Sequence, residues 1–268
     1  AKVTNNAVPA PPTVPTVAST TQPTCAVPTG TIVFTAQAGV EYSINNGTSY
    51  QAGVSFAGLS PGTYTLRVRS IADNTCSTPA AATVTINAVP TPPSVPTVAS
   101  TTQPTCAVPT GTIVFTAQAG VEYSINNGTT YQAGATFAGL SPGTYTLRVR
   151  SIADNTCSTP AVATVTINAV PTPPTAPTVA STTQPTCAVP TGTIVFTAQA
   201  GVEYSINNGT TYQAGATFAG LAPGTYTLRV RSIADNTCST PAGATVTINA
   251  VPTPPTAPTV ASTTQPTC

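Results

Sequence analysis

Thr63-Tyr64-Thr65-Leu66-Arg67-Val68-Arg69 alternates along its whole length. Tyr64, Leu66 and Val68 share one face; Thr65, Arg67 and Arg69 share the other. Successive side chains of a strand point to opposite sides of the sheet, so the run predicts a half-buried antiparallel strand. The same seven residues return at 144–150 and 225–231.

Reading outward from this run gives more strands. Downstream, Ala82-Thr83-Val84-Thr85-Ile86-Asn87 alternates with Ala82, Val84 and Ile86 inward. Upstream, Ser60-Pro61-Gly62-Thr63 reads as a type II turn, Pro setting φ and Gly accepting a positive one. Thr31–Thr35 is rich in β-branched residues, and Glu41-Tyr42-Ser43-Ile44 alternates. Asn46 and Gly47 form the strongest short-range hairpin signal, repeated at Asn127-Gly128 and Asn208-Gly209, because Asn-Gly accepts the positive φ of a type I′ turn. Tyr50–Phe56 is then expected as the returning strand. Val17–Thr24 is expected at a sheet edge, since Pro23 has no N–H for a ladder. No helical periodicity appears. Six or seven short strands separated by turns predict an all-β, Ig-like antiparallel sandwich.

The unit is copied nearly verbatim. TTQPTCAVPTGTIVFTAQAGVEYSINNG opens at Thr20, Thr101 and Thr182, a step of 81 residues, and the copies differ at few positions, such as Ala81, Val162 and Gly243. Residues 1–25 match 244–268, so the 268 residues read as three periods plus a 25-residue overlap. A fixed period signals an array in which number, not a unique constellation, carries the function. The expected modules are 16–89, 97–170 and 178–251. Pro-rich linkers fill 90–96 and 171–177. Residues 1–15 read as the end of a preceding repeat with its linker, and 252–268 as a linker with the first strand of a following one. Pro at this density favours polyproline II, a semi-rigid strut rather than a loose tether.

Composition narrows the function. Charged residues are 5% of the chain, against roughly 25% in an average soluble protein. A net charge of +1 gives no electrostatic reason to expect nucleic acid or an anionic membrane as partner. No apolar stretch approaches a membrane span. The chain has no His, and each period has one Glu and one Asp on different segments, so no acid–base pair is apparent and no enzyme is expected. Glu41 is expected to pair with Arg67 or Arg69, and Asp73-Asn74 reads as a turn. No CxxC and no His occur, and two cysteines per module cannot close a zinc tetrahedron, so no metal is expected; no P-loop or dinucleotide fingerprint occurs, so no cofactor is expected. Asn46-Gly47-Thr48 matches the N-glycosylation sequon, but the turn already accounts for it.

The cysteines do carry information. They stand at Cys25, Cys76, Cys106, Cys157, Cys187, Cys238 and Cys268, with gaps alternating between 51 and 30 residues. One regular pairing stays within modules: Cys25–Cys76, Cys106–Cys157 and Cys187–Cys238. The other crosses linkers: Cys76–Cys106, Cys157–Cys187 and Cys238–Cys268. Each leaves one cysteine over, and loop entropies of roughly 4.1 and 3.7 kcal/mol do not separate them. If the strands at Ile32 and Val68 run antiparallel along a shared edge, Cys25 meets Cys76, which favours the first. Disulfides imply an oxidising, extracytoplasmic setting.

PTCAVPTGTIVFTA, YSINNG, FAGLSPGTYTLRV and the Asp-Asn turn into Cys76 together resemble the SprB-type repeat of large surface adhesins of gliding bacteria. The likeness covers the whole 81-residue unit in each copy. It implies export to the bacterial cell surface and a role in adhesion or motility, with a ligand-binding tip carried elsewhere. The near-identity of the copies points to a non-enzymatic stalk or filament whose partners are neighbouring repeats of the same or identical chains. The alternatives are a multivalent adhesin whose modules each bind a glycan or surface ligand, and a homopolymeric filament joined through its terminal strands. A stalk predicts shallow pockets and bland surfaces; an adhesin predicts an exposed aromatic or acidic cluster in every module.

Overall fold

The computed structural model describes residues 10–266. Residues 1–9 of the leading 1–15 segment, and Cys268 with the pairing expected of it, lie outside the described residues. The first module runs β1 (Val17–Thr21), β2 (Gly30–Phe34), β3 (Val40–Ser43), β4 (Ser55–Leu59), β5 (Gly62–Tyr64), β6 (Arg67–Ser70), β7 (Ser77–Pro79) and β8 (Val84–Ile86). The same eight strands recur as β9–β16, from Val98–Thr102 to Val165–Ile167, and as β17–β24, from Val179–Thr183 to Val246–Ile248. No helix occurs among the described residues, and so none long and apolar enough to cross a membrane. The protein is all-β, built of tandem Ig-like antiparallel modules.

The chain divides into two compact units. One takes in Ala1–Ser100, Ile113–Phe137 and Thr144–Val165; the other takes in Thr101–Thr112, Ala138–Gly143 and Thr166–Cys268. The first therefore holds the whole first module and the second the whole third. In the first module the sheets are β1-β2-β4, β3-β6-β7 and the pair β5-β8, antiparallel throughout. The third module repeats this order. As expected, β1 is an edge strand.

Three local expectations change. The run 63–69 keeps its parity but is two strands, not one. Tyr64 ends β5, which pairs with β8, whereas Arg67 begins β6, which pairs with β3 and β7. The chain thus changes sheets at Thr65-Leu66 while Leu66 (1% exposed) and Val68 stay in the core. The segment after Asn46-Gly47 returns to β3 at one point only, Tyr42 with Gln51, before β4 crosses to pair with β2. Gly62 has φ 158°, nearly extended and already part of β5, so the Pro61 corner is not a type II turn. That corner is held instead by the Tyr64 hydroxyl, which donates to Ser60 O at 2.7 Å, the tyrosine-corner bond of Ig-type sandwiches.

Ile32, Phe34, Val40, Tyr42, Leu66, Val68 and Ile86 form the core of the first module. Phe34 packs on Tyr42 and Phe56 with centroids at 4.8 and 5.6 Å, contacts of about 0.5–1.5 kcal/mol each beyond burial. Expected inward, Ala82 is in fact exposed, while Val84 and Ile86 face in. Fully buried Ser43 donates to Asn45 Oδ1 and accepts from the Gly47 N–H, both at 2.9 Å, and so pins the Asn46-Gly47 turn. Asn46 (φ 56°) and Gly47 (φ 88°) both adopt the positive φ that was expected, as do Asn127-Gly128 and Asn208-Gly209.

The linkers carry no strand, yet they are held along their length. In the first unit, Pro93 O accepts from Thr159 Oγ1 at 2.7 Å and Ser94 Oγ donates to Gln118 Oε1 at 2.9 Å. In the second, Pro174 O accepts from Thr240 Oγ1 at 2.7 Å and Thr175 Oγ1 donates to Gln199 Oε1 at 3.0 Å. Each linker is thereby docked on the module that follows it. This adds tertiary restraint to the stiffness that proline supplies.

Candidate functional site

The cysteines decide the architecture, and neither expected pairing occurs. Cys25 is bonded to Cys157, and Cys106 to Cys238, each across a separation of 132 residues and with Cα atoms 5.1 Å apart. Each bridge joins the first cysteine of one module to the second cysteine of the next, within a single compact unit. The within-module pairing fails for a topological reason. It required the strands at Ile32 and Val68 to share an edge, but β2 and β6 lie in different sheets. The linker-crossing pairing fails because Cys106, Cys157 and Cys238 are already taken.

Local chemistry prepares both halves of this clasp. Cys25 follows β1 in a turn where the Thr24 N–H donates to Val27 O at 2.9 Å and the Val27 N–H donates to Thr24 Oγ1 at 3.0 Å. Its own N–H is left pointing outward, and donates to Asp154 Oδ2 at 2.9 Å. The Ala26 N–H donates to Thr156 Oγ1 at 3.2 Å. The other oxygen of Asp154 accepts from the Thr156 N–H and hydroxyl at 2.9 and 2.7 Å, which is the turn the sequence suggested. Linker residue Pro90 lies against the bridge, its carbonyl oxygen 3.3 Å from Cys25 Sγ. The second clasp repeats this geometry: the Cys106 N–H donates to Asp235 Oδ2 at 2.9 Å, and the Ala107 N–H donates to Thr237 Oγ1 at 3.2 Å.

Electrostatics follow the hydrogen bonds. The Asp154 carboxyl is held below its ordinary value, chiefly by the Thr156 hydroxyl, then by the Cys25 and Thr156 N–H groups. Asp235 is lowered in the same way, by the Thr237 hydroxyl and then the Cys106 N–H. Asp73 is lowered by the Thr75 hydroxyl and N–H and then by the Cys76 thiol, whose own pKa that hydrogen bond raises. Cys25, Asp154 and Cys157 place one donor atom each within 4.8 Å of one another, as do Cys106, Asp235 and Cys238. Sulfurs joined to each other are not thiolates, and three donors fall short of a zinc tetrahedron, so these residues do not form a metal site in this state.

A second constellation recurs on each module. Glu41 accepts from Arg69 Nη2 at 2.7 Å and from Nε at 2.8 Å, which settles its partner as Arg69 rather than Arg67. The Arg69 guanidinium lies 4.2 Å from the Tyr50 ring centroid, a cation–π stack. Arg67 donates through Nη1 to Ser77 Oγ at 3.1 Å. Its buried Nε meets no acceptor among the described residues, in any copy. Every Tyr and Phe of the chain is buried or half-buried. A cleft of about 410 Å³ lies where a linker crosses the following module, lined by Thr172, Pro173, Pro174, Gln199 and Gly201 among others.

The sequence reading missed Asp154, Thr156, Asp235 and Thr237 as contacts between modules. The signal was present, since an Asp-Asn-Thr-Cys turn precedes every second cysteine.

No family model matches the chain, and no curated protein matches it. Among solved structures it is similar to titin domains I67–I69 in an E-to-A variant, at 10% identity over 89% of this chain and 99% of that one, with a TM-score of 0.33. It is similar to chicken CNTN1 domains FN1–FN3 at 10% identity over 90% and 99%, with a TM-score of 0.31. It is similar to the bacterial integrin-binding protein invasin at 17% identity over 88% of this chain and 59% of that one, with a TM-score of 0.27. At such identities and superpositions none of them assigns this chain a function.

Proposed function

We propose that this chain is a non-enzymatic, load-bearing segment of an extracellular bacterial surface fibre. The observation that carries this reading is the disulfide register: each bridge ties one module to the next. A disulfide inside a module would staple that module alone. Bridges between modules instead make a second covalent path along the array, and their presence suits an oxidising compartment. The resemblance to SprB-type surface repeats supports the same setting.

The second path is shorter than the first. Along the backbone, 213 residues separate Cys25 from Cys238. Through the bridges, the route runs Cys25 to Cys157, back along 51 residues to Cys106, and across to Cys238. Under tension this route becomes taut first, at roughly 180 Å, against roughly 770 Å for the backbone, taking about 3.6 Å per residue. Modules can lose their sheets without the fibre lengthening to its full backbone extent. Such a limit is useful to a tether and irrelevant to a catalyst. The multivalent-adhesin alternative asks for exposed rings repeated on every module, whereas the rings here stack inward or beneath arginine.

Single molecules held by handles at the two termini and pulled with and without reductant test the reading. Reduction should add about 590 Å of contour length to the fully unfolded chain. Equal lengths in the two states would refute it.

A further inference from the structure

Two cysteines per module cannot close a metal site, but the clasp draws its donors from two modules. Cys25 Sγ comes from one, Asp154 Oδ2 and Cys157 Sγ come from the next, and the three atoms lie within 4.8 Å of one another. Asp154 Oδ2 is 3.2 Å from Cys157 Sγ, and Pro90 O of the linker is 3.3 Å from Cys25 Sγ. The second clasp gathers Cys106 Sγ, Asp235 Oδ2 and Cys238 Sγ in the same way. There Asp235 Oδ2 is 3.2 Å from Cys238 Sγ, and Pro171 O is 3.2 Å from Cys106 Sγ.

These spacings are close to the edges of a coordination tetrahedron. Metal–sulfur bonds of about 2.3 Å and metal–oxygen bonds of about 2.1 Å set sulfur and oxygen about 3.6 Å apart, and two sulfurs about 3.8 Å apart. The oxygens already stand near that spacing. Only the sulfurs must separate, which rotation about χ1 allows with the Cα atoms 5.1 Å apart. The joint is also held without its sulfurs, by the Cys25 N–H on Asp154 Oδ2 and the Ala26 N–H on Thr156 Oγ1. Asp154 Oδ1 is fixed by the Thr156 N–H and hydroxyl, the outer-shell support that orients a metal-binding carboxylate. Cys157 is fully buried while Cys25 and Asp154 are half-buried, so a cation has one side from which to enter.

We propose that each clasp, in its reduced form, is a binding site for a thiophilic divalent cation of the zinc class. Cys25, Asp154 and Cys157 hold one ion; Cys106, Asp235 and Cys238 hold the other. A water on the side of the linker carbonyl completes the tetrahedron, the pattern of three protein ligands and one exchangeable position. Cysteines are thiols until they are oxidised, so this form precedes the bridge and needs no reductant to arise. Binding releases the two thiol protons and transfers no electrons. Metal and disulfide are alternative fasteners of one joint, since sulfurs bonded to each other offer no thiolate. None of this rests on the fibre reading, because binding is measured at equilibrium in solution and contour length does not enter.

The full chain is reduced with a phosphine, freed of it without air, and titrated with cadmium, whose thiolate charge-transfer absorption counts the sites; zinc should displace it. The expected result is two tight sites on the reduced chain, one per clasp, and none on the oxidised chain. Asp154→Asn should weaken one site by about tenfold or more, and Cys25→Ser should abolish it. In both variants the untouched site at Asp235 reports that the chain still folds. A reduced chain that binds no cadmium, or that has lost its β-sheet spectrum, overturns the proposal. So does a titration that neither Asp154→Asn nor Cys25→Ser alters, or an oxidised chain that binds as the reduced one does.

Discussion

Asp73-Asn74-Thr75-Cys76 and Asp154-Asn155-Thr156-Cys157 are the same four residues, with the same bonds from the threonine to the aspartate. Cys157 is nevertheless fully buried, whereas Cys76 is half-buried. Part of what surrounds Cys157 comes from outside its module. Asp154 receives the Cys25 N–H, and Cys157 receives the Cys25 sulfur. By contrast Ile32, Ile113 and Ile194 are 0% exposed in every copy, because each module supplies their surroundings itself. Identical sequence therefore yields two kinds of site: an interior that every copy completes alone, and a clasp that a neighbour must complete.

The largest effect should come from breaking a closed clasp. Replacing Cys25 and Cys157 together by serine opens a 132-residue loop, for which chain entropy in the unfolded state predicts a loss of about 5 kcal/mol. C187S, at an exposed site, should stay within about 0.5 kcal/mol of wild type. Guanidinium denaturation of both variants without reductant measures the gap. Similar midpoints would show that the clasp does not distinguish the two sites energetically.

A site completed by its own module should respond alike in every copy. Gly47 has φ 88°, and a Cβ there would stand 2.7 Å from the Tyr50 hydroxyl and 3.1 Å from Arg67 Cδ. Gly128 and Gly209 have φ 87° and the same neighbours, Tyr131 and Tyr212. Gly47→Ala should destabilise by roughly 1–2 kcal/mol from the left-handed backbone, with steric displacement of the tyrosine added. The same change at Gly128 or Gly209 should cost about the same. Thermal melts of the three single variants read this, and unequal shifts would mean that neighbours reach further into a module than the clasp.

The same division marks what could be read before the fold was known. Inward placement of Tyr64, Leu66 and Val68 follows from alternation within seven residues, and the positive φ at Asn46-Gly47 follows from a dipeptide. The change of sheet at Thr65-Leu66 does not, because parity continues unbroken across it. The cysteine register was hidden by the repeat itself. A first and a second cysteine 51 residues apart have the same local chemistry as a pair one period further on, so spacing alone admits both. Asp154 was legible as a turn residue through one oxygen. The role of its second oxygen depends on Cys25, 129 residues away.

Acid should separate the two kinds of aspartate with the smallest signal of all. The folded Asp154 carboxyl titrates below its unfolded value, so its stabilising contribution is complete above about pH 4 and disappears as pH falls through the folded value. One cause of that lowering, the Cys25 N–H, spans two modules, whereas Asp73 is lowered by bonds from its own turn. Asp154→Asn keeps an oxygen acceptor but removes the titrating charge. It should flatten the fall in thermal midpoint between pH 5 and about pH 2. The flattening should shrink once Cys25 and Cys157 are both replaced by serine, because the Cys25 N–H is no longer held against the carboxylate. In Asp73→Asn the flattening should be the same with and without that bridge. If the Asp154 profile too ignores the bridge, its carboxylate serves only its own turn, and the clasp is held by the sulfurs alone.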